Sequence, residues 1–294
     1  MQAMILAAGF GTRLLPYTEL RPKPLFPLLN DPLLLLTIRH LKASGFERII
    51  VNCHYLREQI IDAVRGIPGV TVQEEDTVLG TGGGLRMALS QLQDEPLLVT
   101  NGDIYHSVDY TELYREHLVN RSAVTMAMHD YPRFNKVSAV GGFVTGFGEM
   151  KKPGALLAFT GLHVLEPWVL ETIPPGLECS IIDRYRDLLV EKGESISVHR
   201  VDDCSWTDMG TVEDYLALHG KLLKKEIPLW PEFSTTIKGS VVVNPASASC
   251  SVLFEDWCCV GKVKMPEQAI LRRCVVWDGA GIEEGAEYSD SLLA

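Results

Sequence analysis

The sequence predicts an α/β protein in which a mostly parallel sheet is flanked by helices and followed by a short β-helix. Three observations carry that reading: recurring uninterrupted apolar runs, helical spacing of the apolar residues between them, and a six-residue period near the C-terminus. Ala3-Met4-Ile5-Leu6-Ala7-Ala8 is apolar throughout and ends at Gly9, which suits a strand buried on both faces. Arg48-Ile49-Ile50-Val51-Asn52 and Pro96-Leu97-Leu98-Val99-Thr100 share that character. Between them, Leu56, Ile60, Ile61 and Val64 fall on one helical face. Such alternation makes a Rossmann-like sheet, whose ligands bind beyond the carboxyl ends of the strands. Gly9 and Asp103 both follow directly on strands of this kind.

After a helical stretch from Thr211 to about Lys225, Ile227-Pro228-Leu229-Trp230-Pro231 breaks helix twice and reads as a linker. The expected domains are therefore 1–226 and 227–294. In the second, Val252, Cys258, Ile270, Val276, Ile282 and Tyr288 keep a six-residue period with Lys264 as its polar interruption, and Gly261, Gly279, Gly281 and Gly285 supply turns. A hexapeptide period marks a β-helix, whose coils must stack to bury their inner faces.

With 294 residues and 46% hydrophobic content the chain can bury a large core. Its formal net charge of -11 excludes nucleic-acid and anionic-membrane partners, since no basic cluster exceeds Lys224-Lys225 or Arg272-Arg273. The apolar N-terminus lacks the basic flank of a secretory signal, and no apolar run is long enough to cross a bilayer. Seven cysteines without a Cys-x-x-Cys pair read as buried thiols, and the chain as a soluble cytoplasmic protein.

Chemistry is concentrated at Gly9-Phe10-Gly11-Thr12-Arg13, directly after the first strand, with Lys23-Pro24 shortly beyond. Glycines let a backbone approach phosphate, and exposed amides bind its oxygens. Arg13 and Lys23 would offset the charge that gathers on a departing pyrophosphate. Leu14 stands where a dinucleotide fingerprint needs its third glycine, and no Walker-type loop is present.

These residues resemble the sugar-1-phosphate nucleotidylyltransferase family. The matching motifs, in family order, are Leu6-Ala7-Ala8-Gly9-Phe10-Gly11-Thr12-Arg13, Arg21-Pro22-Lys23-Pro24-Leu25, Leu79-Gly80-Thr81-Gly82-Gly83-Gly84, Asn101-Gly102-Asp103, Thr160-Gly161 and Trp206-Thr207-Asp208-Met209-Gly210-Thr211. The resemblance implies nucleotide contacts at Leu6, Ala8, Gly9, Gly11, Thr12, Glu75, Gly80, Gly82, Gly83 and Gly102, with Gly82-Gly83-Gly84 lying against base and ribose. It further implies catalytic roles for Arg13 and Lys23, Mg²⁺ held by Asp103 and Asp208, and sugar-phosphate contacts from Thr160, Gly161 and one of Lys151 and Lys152, of which Lys152 is taken. The C-terminal repeat resembles the left-handed β-helix of guanylyltransferase members and is a candidate homodimer contact. All eight histidines precede residue 220, so the repeat carries no imidazole for acyl transfer.

The implied partners are a nucleoside triphosphate and a sugar 1-phosphate. Gly80 and the C-terminal repeat favour GTP with mannose 1-phosphate or a related sugar. The triple glycine and the compact catalytic region favour UTP with N-acetylmuramate 1-phosphate or another hexose phosphate. A rival of another class is a catalytically silent sugar-nucleotide-binding subunit, against which stand the retained Arg13, Lys23, Asp103 and Asp208.

Overall fold

Apolar runs like Ala3-Met4-Ile5 can be covered only between other strands and under helices, and that is how the chain folds. The computed structural model describes residues 1–148, 154–189, 193–235, 237, 239–248 and 251–294. It divides into two compact units, Met1–Phe10 with Leu41–Trp206 and Gly11–His40 with Thr207–Ala294. The second unit thus takes in an early segment of the chain and a helix, Val212–Leu223, that lies ahead of the expected boundary at residue 226.

The first unit is built on a nine-stranded sheet. Its first four strands in spatial order, Val70–Glu74, Arg48–Cys53, Gln2–Leu6 and Leu97–Asn101, run parallel. Ala3, Met4 and Ile5, in the middle of this set, are fully buried. Beyond it the sheet is mixed, which corrects the expectation of a mostly parallel one. The long strand Ala155–Leu165 runs antiparallel to both Leu97–Asn101 and Val124–His129. Ile196–Arg200 then pairs parallel with Val124–His129, and the hairpin Val137–Val140 and Phe143–Phe147 follows antiparallel. Val137–Val140 also pairs with the beginning of Ala155–Leu165, so five of the strands close into a circuit. An apolar run shows that a strand is buried on both faces but not which way it points.

In the second unit, Thr211 caps the helix Val212–Leu223 by accepting the Asp214 N–H at 3.1 Å, and Tyr215, Leu218, His219 and Leu222 form its buried face. Strands Val241–Val243, Val252–Val260, Ala269–Val276, Ala286–Ser289 and Leu292–Leu293 are stacked in parallel, each residue beside one 16 or 17 positions further on. Val252, Cys258, Val260, Ala269, Leu271, Cys274 and Val276 fill the interior. The six-residue period holds at Val252, Cys258, Val276, Ile282 and Tyr288 but slips at Ile270, where Ala269 and Leu271 turn inward instead. Lys264 is likewise exposed, and its neighbour Val263 takes the inner place. Arg273, at φ 51°, resets the alternation, and Asp256 and Asp290 adopt the same left-handed conformation on the adjacent coils. Its guanidinium pairs with Asp290 at 2.5 Å. No helix among the described residues is long and apolar enough to cross a membrane.

Candidate active site

The carboxyl ends of the parallel strands supply one set of site residues. Leu6 ends its strand between Asn52 and Asn101, and Asn52 stands beside Gln73, so amide side chains close a row of apolar strands. Ala7 and Ala8 continue from Leu6 as buried residues before Gly9 and Phe10 emerge into solvent. Phe10 lies edge-on to His54 with ring centres 5.6 Å apart.

Asn52 accepts the Ala7 N–H on Oδ1 at 2.7 Å and donates from Nδ2 to Glu75 Oε1 at 2.7 Å. The other Glu75 oxygen accepts the Leu79 N–H at 3.2 Å. Glu75 is 1% exposed with both carboxylate oxygens engaged, so it braces the chain where the resemblance implied contact with a nucleotide.

The glycine-rich segment is the start of a helix, Gly80–Ala88. Gly82, Gly83 and Gly84 are buried because protein crosses them at van der Waals distance. A side chain on Gly82 would meet Cys179 Sγ at 2.7 Å, one on Gly83 would strike the Leu177 carbonyl, and one on Gly84 would lie 2.7 Å from Glu75 Oε1. Gly82 N–H donates to the Cys179 carbonyl at 2.8 Å, and Ile181 N–H to Thr81 Oγ1 at 2.9 Å. The missing side chains therefore admit the segment Leu177–Ile181 and Glu75, and a flat ring could meet only the backbone here. Burial raises the Cys179 thiol pKa, with Asp183 adding to the effect, which keeps the sulfur protonated.

Gly102 N–H donates to the Leu6 carbonyl at 2.9 Å, and half-buried Asp103 follows at the turn before Ile104–His106. Gly161 leaves room for the Asn101 amide. Thr160 is 1% exposed, its hydroxyl donating to the Ala127 carbonyl at 2.8 Å, so that group faces inward. Its carbonyl accepts the Trp206 indole N–H at 2.8 Å. Lys151 and Lys152 lie outside the described residues.

In the second unit Gly11 and Thr12 lead to Arg13, which is 58% exposed, while Lys23 is buried in the turn after Pro22. Both cations meet Asp208: Lys23 Nζ lies 3.2 Å from Oδ1 and Arg13 Nη2 3.6 Å from Oδ2. Gly210 makes this convergence possible, since a side chain there would lie 2.5 Å from Arg13 Nη1 and 2.8 Å from Asp208 Oδ2. The coils hold the segment that carries the cations. Trp277 packs on Phe26 with ring centres 4.6 Å apart and under the Arg21 guanidinium, and Tyr17 Oη donates to the Leu292 carbonyl at 2.9 Å.

Sequence reasoning missed Asn52 and Gly210. An amide ending an apolar strand was the available signal for Asn52, whereas Gly210 sits inside a recognised motif whose close approach only coordinates reveal. Mg²⁺ takes one or two carboxylates and completes its shell with phosphate oxygens and water, and Asp103 and Asp208 are each oxygen donors of the kind it prefers. Among the described residues no group of three His, Cys, Asp or Glu could hold a metal.

A nucleotidyl transferase family model matches residues 2–225, and the chain belongs to that family. Among curated relatives, a mannose-1-phosphate guanylyltransferase of Mycobacterium tuberculosis is 28% identical over 97% of this chain and 82% of its own length. A UTP–glucose-1-phosphate uridylyltransferase of Synechocystis is 31% identical over 77% of this chain and 64% of its own length. HddC from Yersinia pseudotuberculosis, solved also with GMP-PN, aligns with TM-score 0.63 and 25% identity over 75% of this chain and 99% of its own in that complex.

Proposed function

We propose that this enzyme transfers a nucleotidyl group from a nucleoside triphosphate to a sugar 1-phosphate, giving an NDP-sugar and pyrophosphate, and that its substrates are GTP and mannose 1-phosphate. The observation that carries the reading is the convergence of Arg13 and buried Lys23 on Asp208, in a chain matched to the nucleotidyl transferase family through residue 225. An exposed arginine and a buried lysine on one carboxylate form a cationic seat for polyphosphate.

In the reaction an oxygen of the sugar phosphate attacks the α-phosphorus in line. A new P–O bond forms, the bond to the β-phosphate oxygen breaks, and pyrophosphate leaves with that electron pair. Arg13 stabilises charge on the transferred group and Lys23 the charge on the leaving oxygen, so catalysis is positioning and electrostatics without a covalent intermediate. Asp103 and Asp208 would hold Mg²⁺, which would supply a hard cation to offset charge on the phosphates. The Leu6–Phe10 turn offers backbone to the phosphates. The free thiols of the six described cysteines fit a reducing, cytoplasmic setting.

Guanylyl transfer is favoured because mannose-1-phosphate guanylyltransferases match along 95% or more of the chain, coils included, in Mycobacterium tuberculosis and rice. The second reading, uridylyl transfer to glucose 1-phosphate, draws on the Synechocystis relative, whose match covers less of the chain. Pyrophosphate release measured with each ribonucleoside triphosphate against mannose, glucose, heptose and N-acetylmuramate 1-phosphates tests both. Turnover that requires GTP and mannose 1-phosphate together is expected. Turnover confined to UTP would move the assignment to the second reading, and nucleotide binding without turnover by any pair would make the chain a regulatory subunit.

A further inference from the structure

Asn52 is 3% exposed, and its amide joins two segments distant in sequence. Through Oδ1 it accepts the N–H of Ala7, where the first strand passes into the turn Ala8–Phe10, and through Nδ2 it donates to Glu75. Glu75 in turn accepts the N–H of Leu79, immediately before the helix Gly80–Ala88, and its own N–H donates to the Cys53 carbonyl at 2.9 Å. Gly84 leaves no slack, since an added side chain would lie 2.7 Å from Glu75 Oε1 and 3.0 Å from Asn52 Nδ2. Gln73, next to Asn52 across the sheet, donates to the Gly84 carbonyl at 2.9 Å.

We propose that Asn52 is a positioning residue that sets the distance between the phosphate-facing turn and the glycine helix, and so governs nucleotide affinity without touching the nucleotide. The inference rests on the reading that both segments serve the nucleoside triphosphate. Its physical basis is the polarity of the contacts. The Asn52 amide offers an acceptor to Ala7 and a donor to a carboxylate at the same time, which the isosteric Asp cannot, and the low-dielectric surroundings make any mismatch costly. Asn52→Asp sets two acceptors face to face. Glu75→Gln sets two donors face to face, either at Asn52 or at the Leu79 N–H. The double variant again offers a donor and an acceptor at every contact, with the negative charge moved from position 75 to position 52.

The wild-type enzyme is assayed first with GTP and mannose 1-phosphate, since failure there belongs to the functional reading; calorimetric GTP affinity in the presence of Mg²⁺ then replaces KM as the readout. Each single variant is expected to raise the GTP KM about tenfold while the sugar-phosphate KM stays within about twofold, and the double variant to return the GTP KM to within about threefold of wild type. A merely structural role would lower the active fraction and leave the two KM values unchanged. Single variants with an unaltered GTP KM, or a double variant no better than either single, would overturn the proposal. If a single variant does not fold, the double decides alone, a GTP KM within about threefold of wild type supporting the proposal and one above about tenfold ending it.

Discussion

Around Ala7 and Gly80 the chain is fixed by hydrogen bonds among side chains no more than 3% exposed, whereas Arg13 reaches Asp208 with 58% of its side chain in solvent. The first arrangement is made at folding and holds its geometry before any ligand arrives. The second stabilises little, because an exposed ion pair is screened and gives up side-chain entropy to hold its geometry. Residues kept in such a pairing gain their worth from what they do when an anion arrives. Substitutions in the two regions should therefore separate, one set reading out in unfolding and nucleotide affinity and the other in turnover.

Arg13→Ala is the sharpest test of that separation: turnover in the pyrophosphate-release assay should fall on the order of 10² to 10³, with the melting temperature little changed. A loss below about tenfold would remove Arg13 from the chemistry. Gly83→Ala should behave oppositely, with urea unfolding reporting a loss of about 1–3 kcal/mol because the new methyl meets the Leu177 carbonyl. Gly210→Ala belongs with the cations. It should lower turnover about tenfold and add no further loss in an Arg13→Ala background, since its effect passes through the displaced guanidinium.

The smallest effect concerns pH and sets both these regions against the core beneath them. Burial pushes His117 and His219 down to about 4 and His163 to about 3, so all three stay neutral in the native state where the unfolded chain would protonate them. The folded pKa lies below the unfolded one, so this stability is fully present above about 6.5 and is lost as pH falls toward about 4. His163→Phe removes one such group, neither of whose ring nitrogens has a hydrogen-bond partner among the described residues. On acidification from about pH 6.5 to about pH 5.5 the variant should lose about 1 kcal/mol less than wild type, and equal losses would show that His163 does not titrate on unfolding.

Much of this was legible in the sequence. The strands at Ala3, Ile49 and Leu97, the turn after Gly9, and the Thr211 cap all lie where apolar runs, glycines and capping chemistry put them. What escaped shares a cause. The antiparallel course of Ala155–Leu165, the inward turn of Ala269 and Leu271 in place of Ile270, and the packing of Gly82-Gly83-Gly84 against Leu177–Ile181 all depend on which distant segment arrives as neighbour. The partners of Glu75 escaped for the same reason. A carboxylate before a glycine run looks available until Asn52 and the Leu79 N–H are seen to occupy it.

Because Val137–Val140 pairs on one side with Phe143–Phe147 and on the other with Ala155–Leu165, the nine-stranded sheet ends in a closed circuit instead of a second rim. At its other end Val70–Glu74 is the outermost strand, paired on one side only with Arg48–Cys53. That strand is short, exposes Thr71 and Glu74, and has the Arg57 guanidinium 3.7 Å from the Glu74 carboxylate. Brevity and charge on this edge deny a second chain the flat template that strand-to-strand aggregation requires.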